Sequence, residues 1–341
     1  MKNNNIFLIV YSIFFVLLVL SIYVNFLTYR SSIVQTIMTN DLNNNEQSPE
    51  LLNYLPNFNM ELPNLSFTAI PIKGLVSRYY RFQGDFDTAL SLLDESKGLN
   101  PYIMFNESEK ATVYEVLQVK DSFVYYAKKA FYGLPKNQRH WIQFSQAMNM
   151  TKDTISLDEA YEMIDDSNDP FFVSAYLSTN LTLNRNSPKI KRIAIEAVNK
   201  FKNNEDIKLI ADYIKYGQKN VDSALVIARD AEKLFLSGVY DSASKSYIAA
   251  SILNPGDYTH FENAGLSLIR QNKYKEAIPF FERVIDSLNP MNGKAEYLLA
   301  SVYEYLGDLK KACELLEVSA SYNFNLAFDA RIKACLNSEN N

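Results

Sequence analysis

Residues 231–324 read AEKLFLSGVYDSASKSYIAASILNPGDYTHFENAGLSLIRQNKYKEAIPFFERVIDSLNPMNGKAEYLLASVYEYLGDLKKACELLEVSASYNF, and one pattern occurs three times within them. Ala243, Ala277 and Ala312 are 34 and 35 residues apart. Each alanine has a turn-forming residue five positions before it, a large residue three before it and another four after it. In chain order these neighbours are Gly238, Tyr240 and Tyr247, then Asn272, Tyr274 and Phe281, then Gly307, Leu309 and Leu316. The stretch therefore consists of a repeated unit of about 34 residues.

This period, with small and aromatic residues at fixed offsets, resembles the tetratricopeptide repeat. In that family each repeat is a pair of antiparallel helices, and the pairs stack because none can bury its apolar face alone. The resemblance predicts an all-α chain, a right-handed α-solenoid of such repeats. The frame also returns earlier, because Tyr80 and Tyr114, and Pro101 and Pro135, are 34 residues apart. The alternative is an ordinary helical bundle in which the spacing is accidental.

The composition favours helices and argues against nucleic acid as a partner. Hydrophobic residues make up 48% of the 341 residues, while 10 Gly and 11 Pro are few for a β-sandwich. The formal net charge is -5, with Lys and Arg interspersed among Asp and Glu. Since no basic face stands out, a nucleic-acid-binding function is not expected.

Residues 6–27 form an uncharged, mostly apolar run of 22 residues. As a helix, this run is long enough to cross the roughly 30 Å hydrocarbon core of a bilayer, which predicts a single-pass N-terminal transmembrane helix. A cleaved signal peptide is the alternative, but its apolar region is usually shorter and precedes an Ala-x-Ala pattern that is absent here. Lys2 opposes Arg30 alone across the run, which favours a cytoplasmic N-terminus and places the bulk of the chain outside the cytoplasm.

These patterns divide the chain into five segments. In chain order they are a transmembrane anchor at 1–30, a polar tether at 31–63, N-terminal repeats at 64–170, an irregular helical joint at 171–221, and C-terminal repeats with a capping helix at 222–341. Within the tether, apolar patches at 33–38 and 51–55 are expected to form local turns or helix. Within the joint, the 34-residue frame fails, and we expect helices near 171–180, 189–202 and 205–217.

Three short runs carry a more specific resemblance. HFENA at 260–264, LNPMNGKAEY at 288–297 and KAFYGLP at 129–135 are similar to the C-terminal repeat region of bacterial O-antigen ligase- or polymerase-like membrane proteins. The resemblance covers about residues 63–337, but the many membrane helices in which that family performs its glycosyl chemistry are missing here. It therefore implies a repeat module in the bacterial inner membrane, with the repeats on the periplasmic side near surface-polysaccharide assembly, and no ligase activity.

No catalytic, metal or cofactor site is predicted. The two histidines, His140 and His260, are about 120 residues apart, whereas metal sites need His, Cys and carboxylates at close ligand spacing. The chain also lacks the Gly-x-Ser-x-Gly, phosphate-loop and His-Glu-x-x-His motifs of common enzyme sites. We therefore expect a non-catalytic protein without cofactors.

A partner-binding surface is predicted where the first helix of each repeat lines the concave face of the array. The resemblance places nine residues there: Arg78, Arg81, Glu115, Phe235, Ile269, Arg270, Tyr297, Glu304 and Tyr305. Arg78 and Arg81 could hold a carboxylate with paired donors. One function that the sequence leaves open is an envelope scaffold whose concave face holds a protein or peptide partner. The alternative is an accessory factor in polysaccharide assembly, with Tyr297 and Tyr305 stacked on glycan. Ordinary exposed surface is the remaining interpretation of these side chains.

Cys313 and Cys335 are the only cysteines. If the last two helices are antiparallel and turn near 321–325, the two residues lie at heights that differ by about 3 Å, from a rise of about 1.5 Å per residue. That difference is compatible with the Cα separation that a disulfide requires. The alternative is two buried free thiols, which is the expected state in the cytoplasm.

Overall fold

The computed structural model describes residues 2–44, 46–55, 58–164, 169–202 and 204–338, and these residues are helical almost throughout. Within these ranges the β structure is an isolated bridge between Leu65 and Pro71. The chain divides into two compact units, residues 1–179 and residues 180–341. The all-α fold predicted from the 34-residue period is confirmed.

The first unit contains a long N-terminal helix, a short helix and three helix pairs. Their bounds are α1 Lys2–Asn44, α2 Pro49–Tyr54, α3 Ile72–Phe82, α4 Phe86–Glu95, α5 Phe105–Val116, α6 Lys120–Gly133, α7 Gln138–Thr151 and α8 Thr154–Ile164. The helices within a pair contact each other, and each pair contacts the next through α4 with α5 and α6 with α7. Helix α9, Pro170–Leu183, spans the division between the units.

The second unit continues the same construction. Its helices are α10 Pro188–Lys200, α11 Glu205–Tyr216, α12 Gln218–Leu236, α13 Tyr240–Leu253, α14 Tyr258–Arg270, α15 Tyr274–Arg283, α16 Lys294–Leu306, α17 Leu309–Ser321 and α18 Asn325–Ser338. Each helix from α10 onwards contacts the next one along the chain. Helices α9, α10 and α11 lie where the sequence predicted three helices within the irregular joint.

The turn inside six of the helix pairs contains a residue with a positive φ angle. These residues and their angles are Gly84 (82°), Gln118 (58°), Lys152 (58°), Gly238 (81°), Asn272 (59°) and Gly307 (84°). Their spacing is 34 and 34 residues in the first unit and 34 and 35 in the second. We call α3, α5, α7, α12, α14 and α16 the first helices, and α4, α6, α8, α13, α15 and α17 the second helices. The third pair therefore keeps the frame, although glycine is missing from its turn.

Small residues on both helices of a pair allow the close packing. On the second helices Ala243, Ala277 and Ala312 are all 0% exposed. On the first helices the residue seven positions before the turn is small and buried in all six pairs: Ser77, Ala111, Ser145, Ala231, Gly265 and Ala300. A Cβ atom at Gly265 would lie 2.6 Å from Cζ of Phe281, so the missing side chain makes room for that ring.

Helix α1 corrects the predicted tether. The helix does not end near residue 30 but continues to Asn44, and its C-terminal part packs on α3. Val34 and Met38 belong to a buried core that also contains Leu51, Leu55 and Leu75. The prediction was wrong because polar residues, among them Ser31 and Asp41, also lie on the buried face of α1. The apolar residues alone therefore form too short a stripe to predict a helix. The first repeat is thus fixed to α1.

Upstream of this packed part, α1 is apolar and exposed. Its most apolar 18-residue window has a mean hydropathy of 2.8, and none of it is buried within the structure. Among the described residues α1 is the one helix whose length and composition would allow it to cross a membrane.

Candidate functional site

Three arginines surround a single glutamate on the first helices of the first unit. Glu109 lies on α5, between Arg78 and Arg81 of α3 and Arg139 of α7. The Nε atoms of Arg78 and Arg81 lie 3.7 Å and 3.6 Å from the Glu109 carboxylate oxygens, and Nη1 of Arg139 lies 2.8 Å from Oε1. We call these four residues the arginine cluster. Residues one helix pair apart along the chain thus meet at one point.

Most of the arginine cluster is buried. The side chains of Glu109, Arg78 and Arg81 are 1%, 4% and 11% exposed, whereas Arg139 is 39% exposed. The Nε atoms of Arg78 and Arg81 have no hydrogen-bond partner. Burial lowers the pKa of both arginines, and the negative charge of Glu109 opposes this effect. Because arginine keeps its charge even when buried, the cluster holds three positive charges against one carboxylate.

A second carboxylate, Asp41 of α1, partly balances this charge. Its oxygens accept hydrogen bonds from the hydroxyl of Tyr79 at 2.6 Å and from the backbone and hydroxyl of Ser48 at 2.7 Å and 2.8 Å. Burial alone would raise the pKa of Asp41, but these hydrogen bonds and the charge of Arg78 lower it. Counting Asp41 with Glu109, one positive charge remains in excess, and Arg139 is its most exposed carrier.

Hydrogen bonds between α5 and α7 hold Arg139 in place. Nη2 of Arg139 donates to Oγ1 of Thr112 at 3.0 Å. One turn further along α7, Nε2 of Gln143 donates to the Ser108 carbonyl and to Thr112 Oγ1, and its Oε1 accepts from the Ser108 hydroxyl, all at 2.9 Å. The two helices are therefore fixed relative to each other, and Arg139 is positioned before any partner arrives.

Of the three residues predicted to line the first unit, two are largely buried and one is exposed. Arg78 and Arg81 do not project freely, because they face Glu109, Phe82 and each other. The centre of the Arg81 guanidinium lies 4.5 Å from the centre of the Phe82 ring, a cation–π distance. Glu115 is exposed at the end of α5. Glu109 and Arg139 were not among the residues predicted from the sequence.

The predicted lining of the second unit is mainly exposed at its C-terminal end. Arg270, Glu304 and Tyr305 are exposed, and the Tyr305 ring stacks on Tyr274 with the ring centres 3.6 Å apart. The Tyr297 ring is half-buried, with its centre 5.3 Å from that of Phe324. Each of these two tyrosines therefore already packs on a ring of its own chain.

Phe235 and Ile269 have a packing role. Both are half-buried and lie against apolar cores of the second unit. The Phe235 ring also meets Tyr240 edge to face, with the centres 5.3 Å apart. These two side chains present only part of their surface to a partner.

A second group of buried polar residues lies near the start of α14. Glu262 is buried, and Nζ of Lys294 lies 2.8 Å from its Oε2. Burial raises the pKa of Glu262, and the bond from Lys294 opposes this. Burial also lowers the pKa of His260, although Asp257, with Oδ2 3.7 Å from Nε2, opposes the change. The group joins α14 to α16 through Lys294.

Cys313 and Cys335 form a disulfide that joins α17 to α18, with their Cα atoms 5.0 Å apart. Together with Glu317 they are a group of side chains with metal-ligating atoms. Since both sulfur atoms are bonded to each other, however, their role in this structure is to fix the last helix.

Comparisons with known proteins find similarity to tetratricopeptide-repeat proteins. No family model matches the chain. A curated relative, the tetratricopeptide repeat and J domain-containing co-chaperone DNJ1 of Cryptococcus neoformans, is 27% identical over 97 residues, which are 28% of this chain and 18% of that protein. The chain therefore spans less than a fifth of this relative. The resemblance to O-antigen ligase-like proteins stays a prediction.

Solved structures of repeat proteins are also similar. A tetratricopeptide repeat protein from Parabacteroides merdae is 12% identical, with a TM-score of 0.35 over 76% of this chain and 94% of that chain. The tetratricopeptide domain of P58(IPK) is 14% identical, with a TM-score of 0.35 over 77% and 96%. The complex of the yeast Sti1 TPR2AB domain with pHSP90 is 16% identical, with a TM-score of 0.30 over 76% and 93%. At these TM-scores, the assignment of this fold rests on the 34-residue frame and the helix pairs described above.

Proposed function

We propose that this chain is a membrane-anchored, non-catalytic scaffold that binds an acidic segment of a protein or peptide partner on its first helices. The observation that carries the proposal is the arginine cluster. Two guanidinium groups from α3 and one from α7 converge on one carboxylate of α5. The third arginine, Arg139, is partly exposed and carries the excess positive charge to the surface. Arginine suits this task because its planar group can bind a carboxylate with two parallel hydrogen bonds.

Burial strengthens the attraction that such a cluster exerts. Charges that are largely removed from water interact more strongly than charges in bulk solvent. The hydrogen bonds from Arg139 to the Thr112 hydroxyl and from Gln143 to the Ser108 carbonyl keep the donors in place, so little order has to be created when the partner binds. A carboxylate that approaches Arg139 would therefore meet a preorganised positive site.

The anchor is supported by the exposed apolar part of α1, and the disulfide supports a location outside the cytoplasm. Disulfides persist in oxidising compartments and are rare in the cytosol, and the structure pairs Cys313 with Cys335. The balance of Lys2 against Arg30 points the same way. We infer a single-pass protein of the bacterial inner membrane, with its repeats on the periplasmic side in the cell envelope.

A glycan partner has less support. The Tyr305 ring already stacks on Tyr274, and the Tyr297 ring is half-buried beside Phe324. A sugar would find one free ring face at Tyr305 and little at Tyr297. No other observation in the second unit favours polysaccharide, so we do not propose this function.

Peptide titration tests the proposed partner class. The full-length chain in lipid nanodiscs is titrated with a fluorescein-labelled, glutamate-rich peptide and with a glutamine-rich peptide of the same length. We expect the acidic peptide to bind more tightly, and Arg139→Gln to weaken its binding by about tenfold, equivalent to about 1.4 kcal/mol. Arg192→Gln removes an equally charged but exposed side chain of α10 and should change nothing.

Two results would contradict the proposal. Equal affinities for the two peptides would show that the chain does not select an acidic partner. Tighter binding of the acidic peptide that Arg139→Gln leaves unchanged would place the binding site away from the arginine cluster.

A further inference from the structure

One face of α1 becomes less exposed near the end of its apolar run and stays so towards the C-terminus of the helix. Buried and half-buried residues of α1 recur at spacings of three and four positions, which places them on one face of the helix, and Gln35 lies beside them. They are Val24, Leu27, Ser31, Val34, Met38 and Asp41. Since Val24 and Leu27 belong to the apolar run, the folded part of the chain starts at the level where that run ends.

The end of helix α2 contacts α1 just beyond the apolar run, at Arg30. The hydroxyl of Tyr54, at the end of α2, accepts a hydrogen bond from Nη2 of Arg30 at 2.8 Å. The guanidinium group of Arg30 also lies 5.8 Å from the centre of the Tyr54 ring and 5.9 Å from that of Phe26. An arginine beside aromatic rings just beyond an apolar run is typical of a membrane–water interface.

A tight turn before α3 presents a phenylalanine beside α1. The backbone of this turn is closed by two hydrogen bonds, from Ser66 N–H to the Ile70 carbonyl at 2.8 Å and from Ala69 N–H to the Ser66 carbonyl at 2.9 Å. At the tip, the Phe67 ring is 64% exposed. The turn is thus rigid, yet it holds a large apolar side chain out of the core, where it gains nothing from the fold.

The turn is fastened to α1 close to the end of the apolar run. The backbone N–H of Phe67 donates to Oε1 of Gln35 at 3.0 Å. The Gln35 side chain runs back along the helix, because its Nε2 donates to the Ser31 hydroxyl at 3.0 Å. Ser31 is four residues beyond Leu27, about 6 Å at a rise of about 1.5 Å per residue. Gln35 itself is eight residues beyond Leu27, about 12 Å on the same scale. The turn is therefore fastened at about 6–12 Å from the end of the apolar run, beside the outer part of the headgroup layer, which is about 5–8 Å thick on each side of the hydrocarbon core.

We propose that the turn at residues 66–70 is a lipid-binding surface, with the Phe67 ring inserted in the headgroup layer of the membrane that α1 crosses. The inference rests on the proposed anchor and adds a second contact to it. With α1 and the turn both in the bilayer, the first helix pair is seated on the membrane surface. Leu62, which is also exposed, belongs to the same loop and extends the apolar contact.

Quenching of tryptophan fluorescence by brominated lipids tests this proposal. The chain has a single tryptophan, Trp141, which is fully buried, and Trp141→Phe provides a silent background. Three reporters are introduced one at a time into the full-length chain in phosphatidylcholine vesicles: Phe15→Trp in the apolar run, Phe67→Trp in the turn, and Ile155→Trp on α8. Ile155 is 73% exposed and serves as the matched control. Bromine is placed near either the headgroup end or the methyl end of the acyl chains.

We expect Phe67→Trp to be quenched at least threefold more strongly by the shallow bromine than Ile155→Trp, and Phe15→Trp to be quenched by the deep bromine. If Phe15→Trp is quenched while Phe67→Trp behaves like Ile155→Trp, the anchor holds and the lipid-binding turn is refuted. If Phe15→Trp is not quenched, the anchor itself fails. Should Trp141→Phe lower the helical circular dichroism, the reporters are read with Trp141 present, and its own quenching in the parent chain is subtracted.

Discussion

Replacing Glu109 by Gln removes the one carboxylate that three arginines of the first unit share. The substitution keeps the size of the side chain and its place on α5, so its effect is mainly electrostatic. Arg78 and Arg81, 4% and 11% exposed, would then lie in the core without the negative charge that faces them. Asp41 remains, but its oxygens are already bonded to Tyr79 and Ser48.

The expected loss of unfolding free energy is about 3–5 kcal/mol, the cost of removing one partner from a buried ion pair. Arg139 is 39% exposed and can turn to water, so its share of the loss is small. The larger share comes from Arg78 and Arg81, whose Nε atoms already lack hydrogen-bond partners. A double variant, Glu109→Gln with Arg81→Gln, should lose less than the sum of the two single variants.

Urea unfolding followed by the fluorescence of Trp141 measures this effect locally. Trp141 is fully buried and lies on α7, two residues from Arg139, so its emission reports on the first unit. Glu115→Gln is the matched control, because Glu115 is exposed on the same helix and its loss should change stability by less than about 0.5 kcal/mol. Equal unfolding midpoints for Glu109→Gln and its control Glu115→Gln would refute the electrostatic account of the cluster. Strict additivity of Glu109→Gln and Arg81→Gln in the double variant would refute it as well.

Three further predictions concern packing, redox state and pH. Ala277→Leu should lower the unfolding free energy by about 1–3 kcal/mol, because Ala277 is fully buried and extra methylenes strain a filled site; a melting temperature equal to the parent's would contradict this packing. Thiol counting on denatured, unreduced protein should find neither Cys313 nor Cys335 free, and reduction should cost about 3 kcal/mol for this loop length; two free thiols would remove the support for an extracytoplasmic location. Burial lowers the pKa of His140 from 6.5 to about 4. Between these two pH values the imidazole of His140 therefore binds a proton in the unfolded chain but not in the folded chain. Stability due to His140 is complete above pH 6.5 and falls by about 3 kcal/mol as the pH drops to 4; a His140→Gln variant with the same pH dependence as the parent would contradict this assignment.

The helix pairs could be predicted because packing restricts their residues. Ala243 and Ala277 must be small wherever two helices approach closely, so their spacing is visible in the sequence. The turns at Gln118 and Lys152 were harder to recognise, since both residues adopt a left-handed conformation that is usually marked by glycine. The extension of α1 to Asn44 was missed because its buried face includes polar residues, Ser31, Gln35 and Asp41, which interrupt the apolar pattern.

The arginine cluster could be predicted from the sequence only in part. Arg78 and Arg81 could be placed on a first helix from the repeat frame, and a carboxylate partner could be expected from their chemistry. That partner is Glu109, one helix pair further on, and Arg139 lies one pair beyond it. Neither is marked by a motif, because their meeting depends on how successive first helices align. Counted back from the turn of its own helix pair, Arg78 lies 6 positions, Glu109 9 positions and Arg139 13 positions before the turn residue, so the repeat frame does not align them.

The contacts of this chain are local in sequence, and this affects how the protein can be made. Each helix of the first unit packs on helices one or two positions away along the chain, as α1 does on α3 and α3 on α5. Chains with such local contacts fold fast, and each helix pair can dock on the pair before it as soon as it emerges. If the repeats are exported as we propose, the chain can fold pair by pair from α1 onwards, with its transport and its folding proceeding together.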